Sequence, residues 1–203
     1  GWAARSDHIG VEVSLSNTIV QYPGPGCVVE FMHGDRPQQA WVLEEQGGKL
    51  RLLTATAREM KLTTARIMPW AGPRYDAQRS RQDILNTLAE HQARRDELQQ
   101  QIDSMEIWEL AQGEVSRAPL TWFAELLWEA PDADQFAALG RALLECKTHF
   151  KFHPPDFDIH PAEKVEARLK EQELARRREM ITGAAAEFFK ELWAVHQRKK
   201  ERV

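Results

Sequence analysis

Two pairs of aspartates have a spacing that metal-dependent nucleases or glycosidases could use. Asp132 and Asp134 form one i, i+2 pair, and Asp156 and Asp158 form the other. Such chemistry needs several carboxylates around metal ions, or two carboxylates that flank the scissile bond. The first pair instead stands where a helix would be capped, the second lies at a predicted hairpin, and no carboxylate cluster joins either pair. We therefore predict structural roles for both pairs and assign no catalytic residue.

Three histidines, His149, His153 and His160, bracket the predicted hairpin. Imidazole is a common metal ligand, but no cysteine or carboxylate stands at ligand spacing beside them, so we assign no metal site. Contact of the hairpin tip with phosphate or with a protein partner suits these residues better. The sequence also has no glycine-rich phosphate loop with its lysine, no G-x-S-x-G motif and no H-E-x-x-H motif. Nucleophilic catalysis therefore has no candidate residues.

Basic residues interleaved with aromatic residues are the feature best suited to binding. Grooves for single-stranded nucleic acid combine positive charge, which follows the phosphates, with rings that stack on bases. Phe31, Trp41 and Trp70 lie near five basic residues in sequence, although these rings could equally be core and the charges a solvated face. The candidate residues for binding nucleic acid, five in a β-rich segment and two beside the hairpin, are Lys49, Arg51, Arg58, Lys61, Arg66, Lys147 and Lys151.

A small β domain must position the first five candidates. Alternating apolar residues predict a short strand at 10–15 and further strands at 26–33, 39–45, 50–54, 59–62 and 65–70. Gly47-Gly48 supplies the two positive-φ positions of a tight hairpin. Short strands in such number cannot cover both faces of an open sheet, so they should close into a small barrel. We predict a small closed barrel over residues 20–73.

A mainly helical module should follow the barrel. Ser80 can cap a long polar helix, which we interpret as an exposed spacer. Residues 119–161 then have the order helix, helix, β-hairpin that a winged helix-turn-helix needs. Ser104 can cap a further helix before them, so we predict a winged helix over about residues 104–161.

A last helix completes this second predicted domain, which spans residues 80–203. Pro161 suits its first position, and the helical pattern continues almost to the end with an interruption near Thr182-Gly183. The predicted fold class is therefore α+β: a small closed β-barrel followed by a mainly helical winged helix-turn-helix module with long flanking helices.

Composition restricts the function classes. The formal net charge of −4 argues against a protein that coats nucleic acid generally, and any polyanion contact should involve the mildly basic first and last segments. Cys27 and Cys146 are far apart in apolar contexts, which favours a reduced, cytoplasmic protein over a disulfide framework. No apolar run approaches the roughly 20 residues of a membrane span, so we expect no membrane partner.

Local phrases in both modules resemble the N-terminal region of the ribonuclease II (RNB) family. The resemblance is to bacterial and plastid members that carry a Src-homology-3-like barrel and a winged helix in place of cold-shock domains. In the barrel it rests on PGPGCVVEFMHGDRPQQAWVLEEQGGKLRLL and REMKLTTARIMPW. In the helical module it rests on EIWELAQGE, TWFAELLW and ALLECKTHFKFHPPDFDIHP. It covers roughly residues 20–200, and none of these phrases is an active-site motif.

The resemblance implies a non-catalytic, RNA-guiding region of a longer exoribonuclease. The family hydrolyses RNA from the 3′ end with aspartates that hold Mg²⁺, and nothing in this chain matches that aspartate cluster. The implied partners are single-stranded RNA and a catalytic domain beyond this chain, and no cofactor is expected within it. An alternative remains open, namely a winged-helix module that binds protein or DNA for regulation. RNA specificity and oligomeric state do not follow from the sequence.

Overall fold

The computed structural model describes residues 17–202. They form two compact units, of which the first ends at Ile159 and the second begins at His160. The strand predicted at residues 10–15 lies outside the described residues. Within the described range, no helix is both long enough and apolar enough to cross a bilayer.

Four consecutive antiparallel strands form the first sheet. They are β1 (Val28–His33), β2 (Arg36–Gln46), β3 (Lys49–Thr54) and β4 (Glu59–Thr63), and they lie side by side in that order. The turn between β2 and β3 is Gly47-Gly48, with φ values of 58° and 80°. The predicted hairpin is therefore confirmed, because a two-residue turn of this kind needs positive φ at both positions.

The predicted closed barrel is wrong, because the first sheet is open. β4 pairs only with β3 among the described strands. The chain after β4 forms a 3₁₀ turn at Thr64–Arg66 rather than the strand predicted at 65–70. Within the described residues, one isolated bridge between Phe31 and Ile67 joins this segment to β1. The sheet stays open because the chain leaves β4 through this turn, so no further described strand pairs with β4 and closes the sheet onto β1.

A helix covers one face of this sheet. α1 (Arg81–Gln101) begins at the predicted cap Ser80, whose hydroxyl accepts a 3.2 Å hydrogen bond from the Asp83 amide. Ile84 and Leu88 of α1 pack on the sheet residues Val28, Trp41 and Leu53. The helix is mostly exposed and buries Ile84 and Leu88, as predicted, but it packs on the sheet and is therefore not a spacer. On the opposite face, the core residues include Val29, Phe31, Val42, Leu50, Leu52 and Leu62.

The rest of the first unit has the predicted order of helix, helix and hairpin. Its elements are α2 (Ser104–Ala111), β5 (Arg117–Pro119), α3 (Leu120–Leu127), α4 (Ala133–Glu145), β6 (Phe150–His153) and β7 (Asp156–Ile159). The sequence did not predict β5, which pairs with β7 to give a second sheet in the order β5-β7-β6. We call this segment, residues 104–159, the winged helix, after the prediction made for it from the sequence.

Helix caps and aromatic contacts fix the winged helix internally. Asp132 and Gln135 form a reciprocal capping box at the start of α4, with hydrogen bonds of 2.9 and 2.8 Å. The cap of α2 is Asp103 rather than the predicted Ser104, because the Asp103 carboxylate accepts from two amides of the first turn. In the core, Phe123 stands edge-on to Phe150 at 5.8 Å between ring centroids.

One long helix makes up most of the second unit. α5 (Ala162–Glu201) has 40 residues, and Pro161 occupies the cap position before it. The helix continues through Thr182 and Gly183, so the predicted interruption is wrong. Among its described residues only Val165 is buried.

Candidate nucleic-acid interface

Three predicted RNA-binding residues lie on one face of the β3–β4 hairpin. Lys49 and Arg51 are two residues apart in β3, and Lys61 of β4 is the direct cross-strand partner of Arg51. Residues two apart on a strand, and direct cross-strand partners, share a face of the sheet. We call Lys49, Arg51 and Lys61 the β3–β4 patch. Together with Glu44 and Gln46 they line a shallow groove of about 260 Å³.

Carboxylates already engage the arginine of this patch. Arg51 Nε lies 3.1 Å from Glu44 Oε2, and its Nη1 lies 3.3 Å from Glu59 Oε1. The hydrogen bond to Glu44 is the main cause that raises the pKa of Arg51. Lys49 and Lys61 are exposed and form no ion pair with other described residues. The patch therefore offers two uncompensated ammonium groups beside one paired guanidinium.

Arg58 and Arg66 lie apart from the patch. Arg58 is exposed immediately before β4, where its amide donates to the Thr54 hydroxyl at 3.2 Å. Arg66 ends the 3₁₀ turn and places Nη2 3.5 Å from the Met32 carbonyl oxygen. It lines an open, mainly apolar cleft of about 860 Å³, which Phe152 and Pro154 of the β6–β7 hairpin also line. The structure therefore does not gather the five predicted residues of the β-rich segment into one groove.

The two predicted residues of the winged helix stand among carboxylates. Lys147 follows α4 and lines a groove that also contains Asp96 and Glu145. Lys151 of β6 faces Asp158 of β7 across the hairpin. A hydrogen bond from Arg117 is the main cause that lowers the pKa of Asp158. Phosphate would meet negative charge close to both lysines.

The recognition helix of the winged helix is buried. Ten of the 13 residues of α4 are inaccessible, including Asp134 and Arg141. α4 packs on α1 and the hairpin within the first unit. A helix that reads the DNA major groove must present several side chains to base edges. In this conformation α4 presents no such face.

A buried ion cluster lies between the first sheet and the winged helix. Glu30 of β1, Arg95 of α1 and Arg141 of α4 are all almost completely buried. Arg95 Nη1 and Arg141 Nε donate to the two different carboxylate oxygens of Glu30. Arg95 also donates to the Gly72 carbonyl oxygen at 2.8 Å. One carboxylate thus holds two guanidinium groups that come from two helices.

Asp134 is the second carboxylate of this cluster. Its Oδ1 accepts from Arg95 Nε at 2.7 Å and lies 2.7 Å from His91 Nδ1. His91 Nε2 lies 2.6 Å from the Tyr75 hydroxyl. Burial alone would raise the pKa of Asp134, but the hydrogen bond with His91 and the charge of Arg95 outweigh it and hold this pKa well below its usual range. The cluster is fully engaged in holding the first unit together.

Sequence reasoning missed this cluster, although the sequence carries a signal for it. In α1, His91 and Arg95 continue the 4-3-4 spacing of Ile84 and Leu88, which places them on the buried side of the helix. A charged residue on an apolar stripe needs an opposite charge within the fold. That signal indicates that Arg95 has a partner but not which one.

The acidic pairs and histidines singled out from the sequence take structural places. Asp132 caps α4, as predicted, and Asp158 binds Arg117 in the second sheet. His149 is buried edge-on against Trp108, at 5.1 Å between ring centroids, and burial lowers its pKa. His153 is exposed on the wing, and His160 belongs to the second unit. Across residues 17–202, no group of three or more His, Cys, Asp or Glu side chains could hold a metal ion.

Comparisons of this chain with protein-family models, with curated proteins and with solved structures found no match.

Proposed function

We propose that this chain is the non-catalytic, RNA-engaging region of an RNB-type 3′→5′ exoribonuclease. The β3–β4 patch is the observation that carries the proposal. Further support comes from the order of the modules, since a β-rich segment precedes a segment of helix, helix and hairpin, as the resemblance to that family implies, although the sheet is open where the resemblance implies a barrel. The chain guides single-stranded RNA, and a catalytic domain elsewhere in the protein, with its own Mg²⁺, performs hydrolysis in the cytoplasm.

The patch has the electrostatic character of a phosphate contact. Like charges directly opposite each other on neighbouring strands are destabilising, and Arg51 and Lys61 stand in that relation. Glu44 and Glu59 offset the cost for Arg51. A phosphate between Lys49 and Lys61 would offset what is left. The sheet therefore retains some electrostatic repulsion among these basic side chains, which is typical of a surface that binds an anion.

RNA binding by so few charges should be weak and sensitive to salt. The logarithm of the affinity falls with the logarithm of the salt concentration by about 0.7 for each phosphate neutralised on a single strand. A two-lysine contact therefore gives a shallow slope. The alternative function was a module that binds protein or DNA, and its DNA-binding form loses support because α4 is buried.

Fluorescence anisotropy with a labelled single-stranded RNA at several salt concentrations tests the proposal. Replacing Lys49 and Lys61 together with alanine should weaken binding and lower the slope by roughly one to two units. The matched control replaces Lys164 and Lys170, two exposed lysines of α5, and should bind as the unsubstituted chain does. Equal affinities for the patch variant and the control would remove the patch from the proposal. Release of nucleotides by this chain in Mg²⁺ would contradict its non-catalytic assignment.

A further inference from the structure

An apolar stripe runs along the exposed surface of α5. The five large side chains of this stripe are each between 44% and 69% exposed. The stripe consists of Leu174, Ile181, Ala185, Phe188, Leu192 and Val195, and we call it the α5 seam. With Arg178 and Lys199 included, successive positions alternate by four and three residues from 174 to 199. A repeat of seven residues with two seam positions is the pattern of a helix that pairs with another helix.

The order of large, small and charged residues along the α5 seam indicates which helix pairs with it. We propose that α5 pairs with α5 of a second copy of this chain in an antiparallel two-helix coil that crosses near Gly183 and Ala184. The seam is complementary to itself in that orientation. Leu174 then faces the partner's Leu192, and Ile181 faces the partner's Ala185, so each large side chain of the second pair meets a small one. The twofold symmetry gives every such contact twice.

Charge selects the antiparallel orientation over the parallel one. In a parallel, in-register pair each seam residue would face its own copy, so Arg178 would face Arg178 and Lys199 would face Lys199. Two like-charged layers inside the seam are strongly unfavourable. In the antiparallel pair Arg178 instead faces the aromatic ring of the partner's Phe188, a favourable position for a guanidinium.

Residues beside the seam are also complementary in the antiparallel orientation. Arg177 and Glu191 of the partner subunit then lie on the same edge of the seam, within two residues of the same level, and the contact recurs by symmetry. Glu191 forms no ion pair with other described residues of its own chain. Arg177 lies 3.2 Å from Glu173, but Arg176 already holds both oxygens of that carboxylate at 2.7 and 3.0 Å. Arg177 can therefore turn to a partner without leaving Glu173 uncompensated.

Sedimentation velocity of the full chain tests self-association. The unsubstituted chain should be a dimer at high concentration, and Leu192→Glu should be a monomer throughout because it introduces two carboxylates into the seam. The matched control is Leu169→Glu. Leu169 is also exposed on α5, but it lies about 140° around the helix from Leu174, so this variant should remain dimeric. A monomeric unsubstituted chain, or a dimeric Leu192→Glu variant, overturns the proposal, as would binding of the monomer to lipid vesicles through the same seam.

Chemical cross-linking tests the orientation. In the antiparallel pair Ala184 lies within two residues of the level of Ala184 of the partner subunit, whereas Leu192 lies about 27 Å along the axis from its own copy, which it would face only in a parallel pair. With Cys146 replaced by serine, a short bismaleimide should link Ala184→Cys into dimers and leave Leu192→Cys unlinked. The reverse result overturns the antiparallel arrangement. Charge exchange provides a second test, since Arg177→Glu and Glu191→Arg should each weaken the dimer several-fold and the double variant should recover it.

Discussion

Gly140 of α4 lies flat against the indole ring of Trp70. A Cβ added at Gly140 would stand 2.3 Å from a ring carbon of Trp70, far inside van der Waals contact. Trp70 belongs to the segment that follows the first sheet and is completely buried. The winged helix and the first sheet therefore approach each other as closely as they do because residue 140 has no side chain.

Gly140→Ala should destabilise the first unit by about 1–3 kcal/mol, the usual range for overpacking a close contact. The clash should outweigh the gain of up to about 1 kcal/mol that alanine normally brings to a helix interior. Urea unfolding measures the difference. The matched control is Gly183→Ala in α5, where an added Cβ meets nothing within 4 Å. That variant should be neutral or slightly stabilised, and equal behaviour of the two alanine variants would contradict the close contact.

Glu30→Gln should be among the most destabilising conservative substitutions in the chain. The amide keeps the size of the side chain but leaves two buried guanidiniums without their shared carboxylate. Removing one partner of a buried ion pair typically costs about 3–5 kcal/mol. Glu44→Gln removes the same charge from an exposed pair with Arg51, and should cost less than about 1 kcal/mol. Chemical denaturation of both variants measures the two losses of unfolding free energy. Similar losses would show that the buried ion pairs contribute no more to stability than an exposed pair does.

Acid should weaken the first unit through Asp134. Because its folded pKa is depressed, its ionised form stabilises the fold above the unfolded value of about 3.9, and this contribution disappears as pH falls through the folded value. Stability should therefore decline below about pH 4. In Asp134→Asn the difference from the unsubstituted chain should be largest near neutrality and shrink towards low pH. A constant difference across that range, measured by urea unfolding, would exclude Asp134 as the titrating group.

Gly48→Val should cost on the order of 1–2 kcal/mol in unfolding free energy, because a β-branched residue is strained at positive φ. The site itself is open, with nothing within 4 Å of an added Cβ, so the cost comes from the backbone alone. Asparagine tolerates positive φ, and Gly48→Asn should therefore retain most of the stability. Thermal melting separates the two variants, and an equal loss in both would point to sterics rather than backbone conformation.

Local patterns predicted the parts of the fold that depend on local physics. Ser80 and Asp132 cap the helices that they were expected to cap, and Gly47-Gly48 forms its hairpin, since each of these roles is decided within a few residues. Barrel closure failed because it depends on what covers each face of the sheet. The side of α1 with Ile84 and Leu88 looked weak in a helix that is otherwise polar, yet it covers Trp41.

The candidate site was harder to predict from the sequence, because strand register also depends on more than local sequence. Spacing places Lys49, Arg51 and Lys61 in neighbouring strands, but only the register shows that Arg51 and Lys61 are direct partners. Arg66 was grouped with them because it is close in sequence, although it lies beyond the end of β4. Sequence distance does not report which side of a sheet a residue reaches.

If the chain were divided between the first sheet and α1, buried charged residues on both sides of the division would lose their ion-pair partners. Glu30 would remain with the strands and Arg95 and Arg141 with the helices, while the Trp41 ring would lose its cover. Each piece would then expose a surface that is buried against the other piece in the intact first unit. The first sheet and the winged helix therefore depend on each other for a complete core, and an engineered fusion that contains the β3–β4 patch must also contain the helices that cover the sheet.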